Sequence, residues 1–319
     1  MKLSIISVAV LGLAASLPAQ NVISARSGLI HYVEGRALLG TEAVEVKVGV
    51  YPEVKEGQTL RTEDGRAEVL LNPGVFLRLG ENSAIKMITA RLSDTRVEMV
   101  SGSAVVEAAE VLADVTIVAG ESTVLLRKIG VYRFDTGRLR VSNGEAEVRL
   151  GAQTLVVKQG RAVSLDGTLL VEKFDPKVGD ALSRWSKRRA EYIAMAHISA
   201  SKQARGMSGT WSSGWLFNPY YGMFTFVPGR GVFLSPYGYR YYCPYEVYRV
   251  YEPPVHRPID SGMNSSVGYR TASPTSGGYS GAVAASSSSA GVSAPVSTGS
   301  AAASAPVGRE SGAAGGRDR

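Results

Sequence analysis

The sequence predicts a mainly β chain: an antiparallel sandwich or a stacked, β-helix-like domain, followed by one amphipathic helix, a small aromatic hairpin segment and a disordered tail. Three observations carry that prediction. Short runs from Val22 to Val171 alternate apolar and polar residues, the period of a strand with one buried face. Glycine-bearing turns divide those runs. Helical spacing appears only after Phe174, and the composition collapses beyond Pro258.

Residues 1–19 read as a secretory signal peptide. Lys2 supplies a positive start, Leu3 to Ala15 an apolar run, and Ser16-Leu17-Pro18-Ala19 a small-residue exit. The run is short of the roughly 20 apolar residues that a membrane helix needs, and no later run is apolar enough to span a bilayer. The expected location is periplasmic or extracellular, with no membrane span after signal cleavage. Cys243 is the only cysteine, so packing rather than an internal disulfide must hold an exported domain together. It sits in Tyr241-Tyr242-Cys243-Pro244-Tyr245 with no neighbouring histidine, as a buried and inert thiol would.

Residues 22–172 form the expected β-domain. Ala67, Val69 and Leu71 alternate with Glu68 and Leu70; Val75, Leu77 and Leu79 alternate with Phe76 and Arg78. Val97 and Met99, and then Ala146, Val148 and Leu150, repeat the pattern. Each run presents one apolar and one mainly polar face, which suits antiparallel sheets wetted on one side. Asp64-Gly65, Asn72-Pro73-Gly74 and Asn143-Gly144 are expected at tight hairpin turns. A weak internal echo also recurs, a glycine followed by a small or charged residue between two strands: Gly35-Arg36-Ala37, Gly102-Ser103-Ala104, Gly144-Glu145-Ala146 and Gly160-Arg161-Ala162. Its uneven spacing argues against a strict solenoid.

Residues 173–205 hold the helix. Asp175 is the expected cap with Pro176 at the first position. Val178, Leu182, Trp185 and Tyr192 or Ile193 form one face, and Arg184, Lys187, Arg188 and Glu191 the other. Residues 206–256 form a Trp/Tyr/Gly/Pro-rich short-strand segment. Trp211, Trp215, Tyr220, Tyr221, Tyr237, Tyr239 and Tyr241 are its candidate contact surface for carbohydrate or protein. The reading favoured over that is a self-packed mini-sheet that covers an exposed edge of the β-domain. Residues 257–319, rich in Ser, Gly, Ala and Pro, cannot bury enough apolar area to offset their ordering entropy and are expected to be disordered.

Little in the chain is suited to chemistry. His31, His197 and His256 fall in three separate segments, and none forms a metal-binding pair at helical spacing. Nucleophile elbows, phosphate-cradling loops and dinucleotide fingerprints are missing from the sequence. The expectation is a protein that is not an enzyme, with no catalytic, cofactor-binding or metal-binding residues. Its formal charge is +7, from 35 Lys and Arg against 28 Asp and Glu. Behind a signal peptide that charge points away from nucleic acid; a solubilising basic surface is the reading favoured, with an envelope protein or an anionic polysaccharide as the partner it would otherwise attract.

The stretch from about Gly28 to Gly167 resembles the FecR family, the periplasmic β-domain of ferric-citrate-type signal transducers. The residues that carry the likeness are Val33-x-Gly35-x-Ala37, Glu56-Gly57-Gln58-Thr59-Leu60-Arg61-Thr62 with Gly65-Arg66-Ala67-Glu68-Val69, and Gly74-x-x-Leu77-Arg78-Leu79-Gly80-Glu81-Asn82-Ser83, leading to Val97-Glu98-Met99-Val100-x-Gly102. The resemblance implies the β fold and the extracytoplasmic compartment. The family's regulators carry a cytoplasmic anti-sigma segment and a membrane span before this domain, where this chain carries a signal peptide. The function expected is that of an exported, non-enzymatic FecR-domain protein that binds or scaffolds in the envelope. The alternatives are a periplasmic signalling component coupled to an outer-membrane receptor, and a polysaccharide-active enzyme, which would need clustered carboxylates on one concave face.

Overall fold

The computed structural model describes residues 27–110, 114–207 and 211–251; the expected signal peptide and disordered tail lie outside them. The chain opens with β1 (Leu29–Leu39), the two-residue β2 (Glu42–Ala43) and β3 (Thr59–Leu70). Next come β4 (Val75–Leu79), β5 (Ala84–Arg91), β6 (Asp94–Ser101), β7 (Ser103–Ala108), β8 (Asp114–Ala119) and β9 (Ser122–Leu126). The series ends with β10 (Gly130–Asp135), β11 (Arg138–Asn143), β12 (Glu145–Leu150), β13 (Gln153–Lys158), β14 (Arg161–Ser164) and β15 (Val171–Lys173).

All fifteen belong to one sheet, with the order β13-β12-β9-β8-β6-β5-β3-β4-β7-β10-β11-β14-β15 and β1 alongside β3. The hinge of this arrangement is β3. Its start, Thr59–Arg61, pairs with β5, and its end, Ala67–Leu70, pairs with β4. The sheet therefore has two halves, one running from β5 to β13 and the other from β4 to β15. A single apolar core draws on both: Val69, Leu77, Val106 and Phe134 from the second half meet Ile85, Val97, Ile117 and Val148 from the first. This is the mainly β, sandwich-like fold expected. Pairing is antiparallel throughout, except that β6 and β8 run parallel.

Three of the four echo glycines mark where the chain crosses between halves, while Gly35 lies inside β1. Gly102 separates β6 from β7, Gly144 separates β11 from β12, and Gly160 separates β13 from β14. Asn143-Gly144 is therefore a crossing and not the hairpin turn expected. Gly144 has φ 93°, and a Cβ there would lie 2.5 Å from the Tyr132 hydroxyl, so the site needs glycine on both counts. Asp64-Gly65 is no turn either: it lies inside β3, with Gly65 opposite Gly35 of β1. The register shifts there, between Gly35 and Ala37, and the two backbones pass so close that a Cβ on Gly65 would come within 2.6 Å of Glu34 O and Arg36 N. Asn72-Pro73-Gly74 does form the hairpin turn, between β3 and β4, with Val75 N donating to Asn72 O at 2.7 Å.

The outer face of the second half is not wet. Helix α1 (Ala181–Arg205) lies over it, together with the hairpin β16 (Gly214–Asn218) and β17 (Met223–Val227), the hairpin β18 (Val232–Leu234) and β19 (Arg240–Tyr242), and helix α2 (Pro244–Tyr251). Leu70 and Phe76 pack against Ile193, Trp215, Phe226 and Tyr241. Val105 and Val131 pack against Leu182 and Trp185. Every residue of β4 is consequently buried.

The helix begins later than its sequence suggests. Asp180 caps it, accepting from Ser183 N at 2.8 Å, while Asp175 accepts from Lys177 N in a local turn. Val178, expected on the apolar face, is 77% exposed ahead of the helix. Asp180 wins because Arg133 of β10 reaches its carboxylate at 2.9 Å, tying the cap to the sheet. Of the two alternatives at the next turn, Ile193 is buried and Tyr192 exposed. Helix α2 was not expected from the sequence; Pro244 opens it from the position proline favours. Cys243 is buried, as expected.

Candidate functional site

The interface between sheet and cap is built around charge. Glu68 of β3 and Arg78 of β4 are direct cross-strand partners, and Arg78 Nε donates to Glu68 Oε2 at 2.7 Å. Arg78 Nη1 donates to Glu107 Oε2 of β7 at 2.7 Å and to Ser186 Oγ of α1 at 2.9 Å. Arg189, one turn further along α1, donates to Glu68 Oε1 at 2.8 Å and lies 4.0 Å over the Tyr32 ring. Ser235, beyond β18, donates to Glu107 Oε1. Two arginines thus face two glutamates, all buried, so the cluster is neutral overall.

Burial alone would push the Glu68 carboxyl up. The Arg189 and Arg78 guanidiniums outweigh it and hold Glu68 well below the usual carboxylate range. Burial likewise would lower Arg78, but Glu107 and Glu68 hold it above its ordinary value. His31 of β1 closes the cluster, its ring nitrogens facing Glu68 Oε1 at 2.8 Å and Phe224 N of β17 at 3.0 Å. The backbone N–H can only donate, so Nε2 accepts and Nδ1–H donates to Glu68. Burial pushes this imidazole below its ordinary value despite the carboxylate.

His197 of α1 repeats the device. Nδ1–H donates to Phe226 O at 2.9 Å, and Nε2 accepts from Tyr242 N at 2.6 Å. Desolvation takes it down to about 4. Two neutral histidines, one from the sheet and one from the helix, therefore each hold a hairpin strand by its backbone N–H.

The seven aromatic residues expected as a contact surface do not share one. Trp215 and Tyr241 are fully buried core residues. Trp215 packs edge-on to Phe76 at 5.0 Å, and Tyr241 lies between His197 and Phe226. Trp211 is half-buried and donates its indole N–H to Val227 O. Tyr237 meets Ser186 Oγ at 2.8 Å, and burial pushes its hydroxyl up to about 12. Tyr239 is half-buried. Only Tyr220, 85% exposed, and Tyr221 lie open, at the tip of the β16–β17 turn. The rings turn inward because the hairpins must cover Leu70 and Phe76, the apolar outer positions of β3 and β4.

What the cap does expose is positive charge. Residues 181–251 carry nine Lys and Arg against two Asp and Glu, whereas residues 1–180 carry 21 against 22. Arg189 is used in the buried cluster; Lys187, Arg188, Arg230 and Arg240 are exposed or partly so. Sequence reasoning placed Arg184, Lys187 and Arg188 on the solvent face and missed Glu68, Arg78, Glu107 and Arg189 as one cluster. A signal was present: a hairpin centred on Pro73 sets Glu68 opposite Arg78.

Among the described residues no group of His, Cys, Asp and Glu could hold a metal ion, and no helix is long and apolar enough to cross a membrane. No protein-family model and no curated protein matches the chain. Among solved structures it is similar to two crystal structures of a candidate anti-sigma factor from Parabacteroides distasonis, at 14% and 15% identity with a TM-score of 0.33 for each. Each match covers 37% of this chain and 61% of that one. A likeness at that level establishes neither a common family nor a common function.

Proposed function

We propose that this is an exported, non-enzymatic FecR-like protein whose capped β-domain binds or scaffolds a component of the cell envelope. One observation carries the reading: the excess positive charge is concentrated on the cap, while the sheet beneath it is close to neutral. Charge segregated in this way steers anionic partners to one side of a molecule. The strongly perturbed groups support a role without chemistry, because Glu68, Arg78, His31 and His197 are all committed to holding the cap. The FecR-like motifs between Val33 and Gly102 support the extracytoplasmic compartment, and they also favour a second reading as a periplasmic signalling component.

Two experiments test the proposal. Osmotic-shock fractionation should place the chain outside the cytoplasm; cytoplasmic retention of a species with residues 1–19 intact would contradict export. Chain immobilised on beads should retain envelope material at low salt and release it at high salt. A K187Q/R188Q/R240Q variant should retain much less. Equal retention by both chains would remove the cap from the function.

A further inference from the structure

We propose that the solvent face of α1 is a docking strip for an acidic polysaccharide, with Lys187 and Arg188 meeting its anionic groups and Tyr192 stacking on a sugar ring. This rests on the envelope-binding reading above and names the partner and the residues.

The strip follows from how α1 is seated. Leu182, Trp185, Arg189, Ile193, Ala196 and Ala200 are buried against the sheet and hairpins. Arg184, Arg188, Tyr192 and Met195 recur at intervals of three and four on the opposite side, with Lys187 beside them, and all are exposed. Residues so spaced are neighbours along the helix surface. Arg184, Lys187 and Arg188 therefore sit within about 6 Å along the helix axis, a cluster that neighbouring anionic groups of a polymer can meet together. Among the described residues neither Lys187 nor Arg188 has an ion-pair partner. The one acid on this face is the exposed Glu191; burial, together with that carboxylate, raises the Tyr239 hydroxyl above its ordinary value. Tyr192, 57% exposed, offers a flat apolar face within one turn of Arg188.

Complementarity of charge selects an anionic occupant. A membrane surface fits less well. An interfacial helix must bury an apolar face in the lipid boundary, and the apolar face of α1 is already seated on its own sheet. Only Tyr192 and Met195 remain outward, with charged residues beside them. A glycan needs no insertion: it takes salt-sensitive contacts from the cations and a stacking contact from the tyrosine.

The test uses the full chain and four probes: polygalacturonate, neutral dextran, phosphatidylglycerol vesicles and duplex DNA. The expected result is binding to polygalacturonate and none to dextran. K187E/R188E should weaken that binding about tenfold, as two lost and reversed surface contacts would, with an unchanged melting temperature. Y192A should weaken it about threefold, an effect that persists at high salt. Equal affinity of wild type and K187E/R188E overturns the proposal. So does a preference for vesicles or DNA over polygalacturonate. If polygalacturonate does not bind but envelope material is still retained by wild type and lost from K187E/R188E, the acidic-glycan assignment alone falls. If that retention is also absent, the envelope-binding function falls with it.

Discussion

The two halves of the rolled sheet treat charge in opposite ways. Around β12, Arg127, Glu147 and Arg149 form ion pairs at the surface, with Glu147 bridging two arginines. Around β4, Glu68, Arg78 and Glu107 make the same kinds of contact with no exposure at all. The strands alternate alike in both places, yet one outer face meets water and the other meets a helix. The lesson is that a polar strand face need not be a wet one. It stays buried here because each charge finds its opposite within hydrogen-bond distance, and the pairing fixes where α1 and the hairpins sit. Isolated burial of any one of these ions would cost several kcal/mol.

The largest expected effect tests that contrast directly. Glu68→Ala leaves Arg78 and Arg189 buried without their shared partner and should destabilise the fold by about 3–5 kcal/mol in denaturant unfolding. Glu147→Ala in the wet half should shift the midpoint far less, since solvent screens its pairs. Comparable losses at the two positions would break the comparison.

The next effect concerns pH. Unfolded histidine titrates near 6.5, while burial lowers His197 to about 4 and moves His31 in the same direction. The unfolded chain therefore takes up protons first as pH falls. The stability these histidines provide is complete above pH 6.5 and is lost on descending toward pH 4. For His197 the loss is on the order of 3 kcal/mol. Urea midpoints measured from pH 7 to pH 4 should fall steeply in wild type and less steeply in His197→Gln. Parallel slopes would exclude the histidine as the cause. Protonation at Nε2 removes the acceptor for Tyr242 N–H, so cap and sheet should lose stability together.

Smaller effects sharpen the boundary between sheet and cap. Gly144→Ala forces a Cβ against Tyr132 at a positive φ and should cost about 1–3 kcal/mol in a thermal melt. Gly151→Ala, at φ 55° in a turn with open space around it, should cost less. Asp180→Ala should cost about 1 kcal/mol through loss of the helix cap, and Asp175→Ala should leave the helix intact. The reverse order of the two aspartates would restore the earlier helix start.

These residues also show what could be read from the chain alone. Alternation in Val75–Leu79 and the turn at Asn72-Pro73-Gly74 are local features, and local physics suffices for them. The same is true of the helical spacing of Leu182, Trp185 and Ile193. Asp64-Gly65 and Asn143-Gly144 misled because glycine serves a hairpin turn and a strand crossing equally well; which one forms depends on distant partners, Gly35 in one case and Gly130 with Tyr132 in the other. The aromatic segment allowed two readings. Trp215 and Tyr241 pack on the β-domain, the favoured one, but which rings turn inward depends on Leu70 and Phe76, which they cover. Helix α2 was hidden because Tyr245, Tyr248 and Tyr251 suit strands as well as helices by composition.

The central claim is that cap and sheet form one cooperative unit held by the buried charges and the two histidines. Amide hydrogen exchange tests it most directly. Phe224 N–H and Tyr242 N–H, held by His31 and His197, should open with the same free energy as amides of β4 and β7, and all should lose protection together in Glu68→Ala. Exchange of the two cap amides orders of magnitude faster than the sheet, with the sheet unaffected by Glu68→Ala, would contradict it.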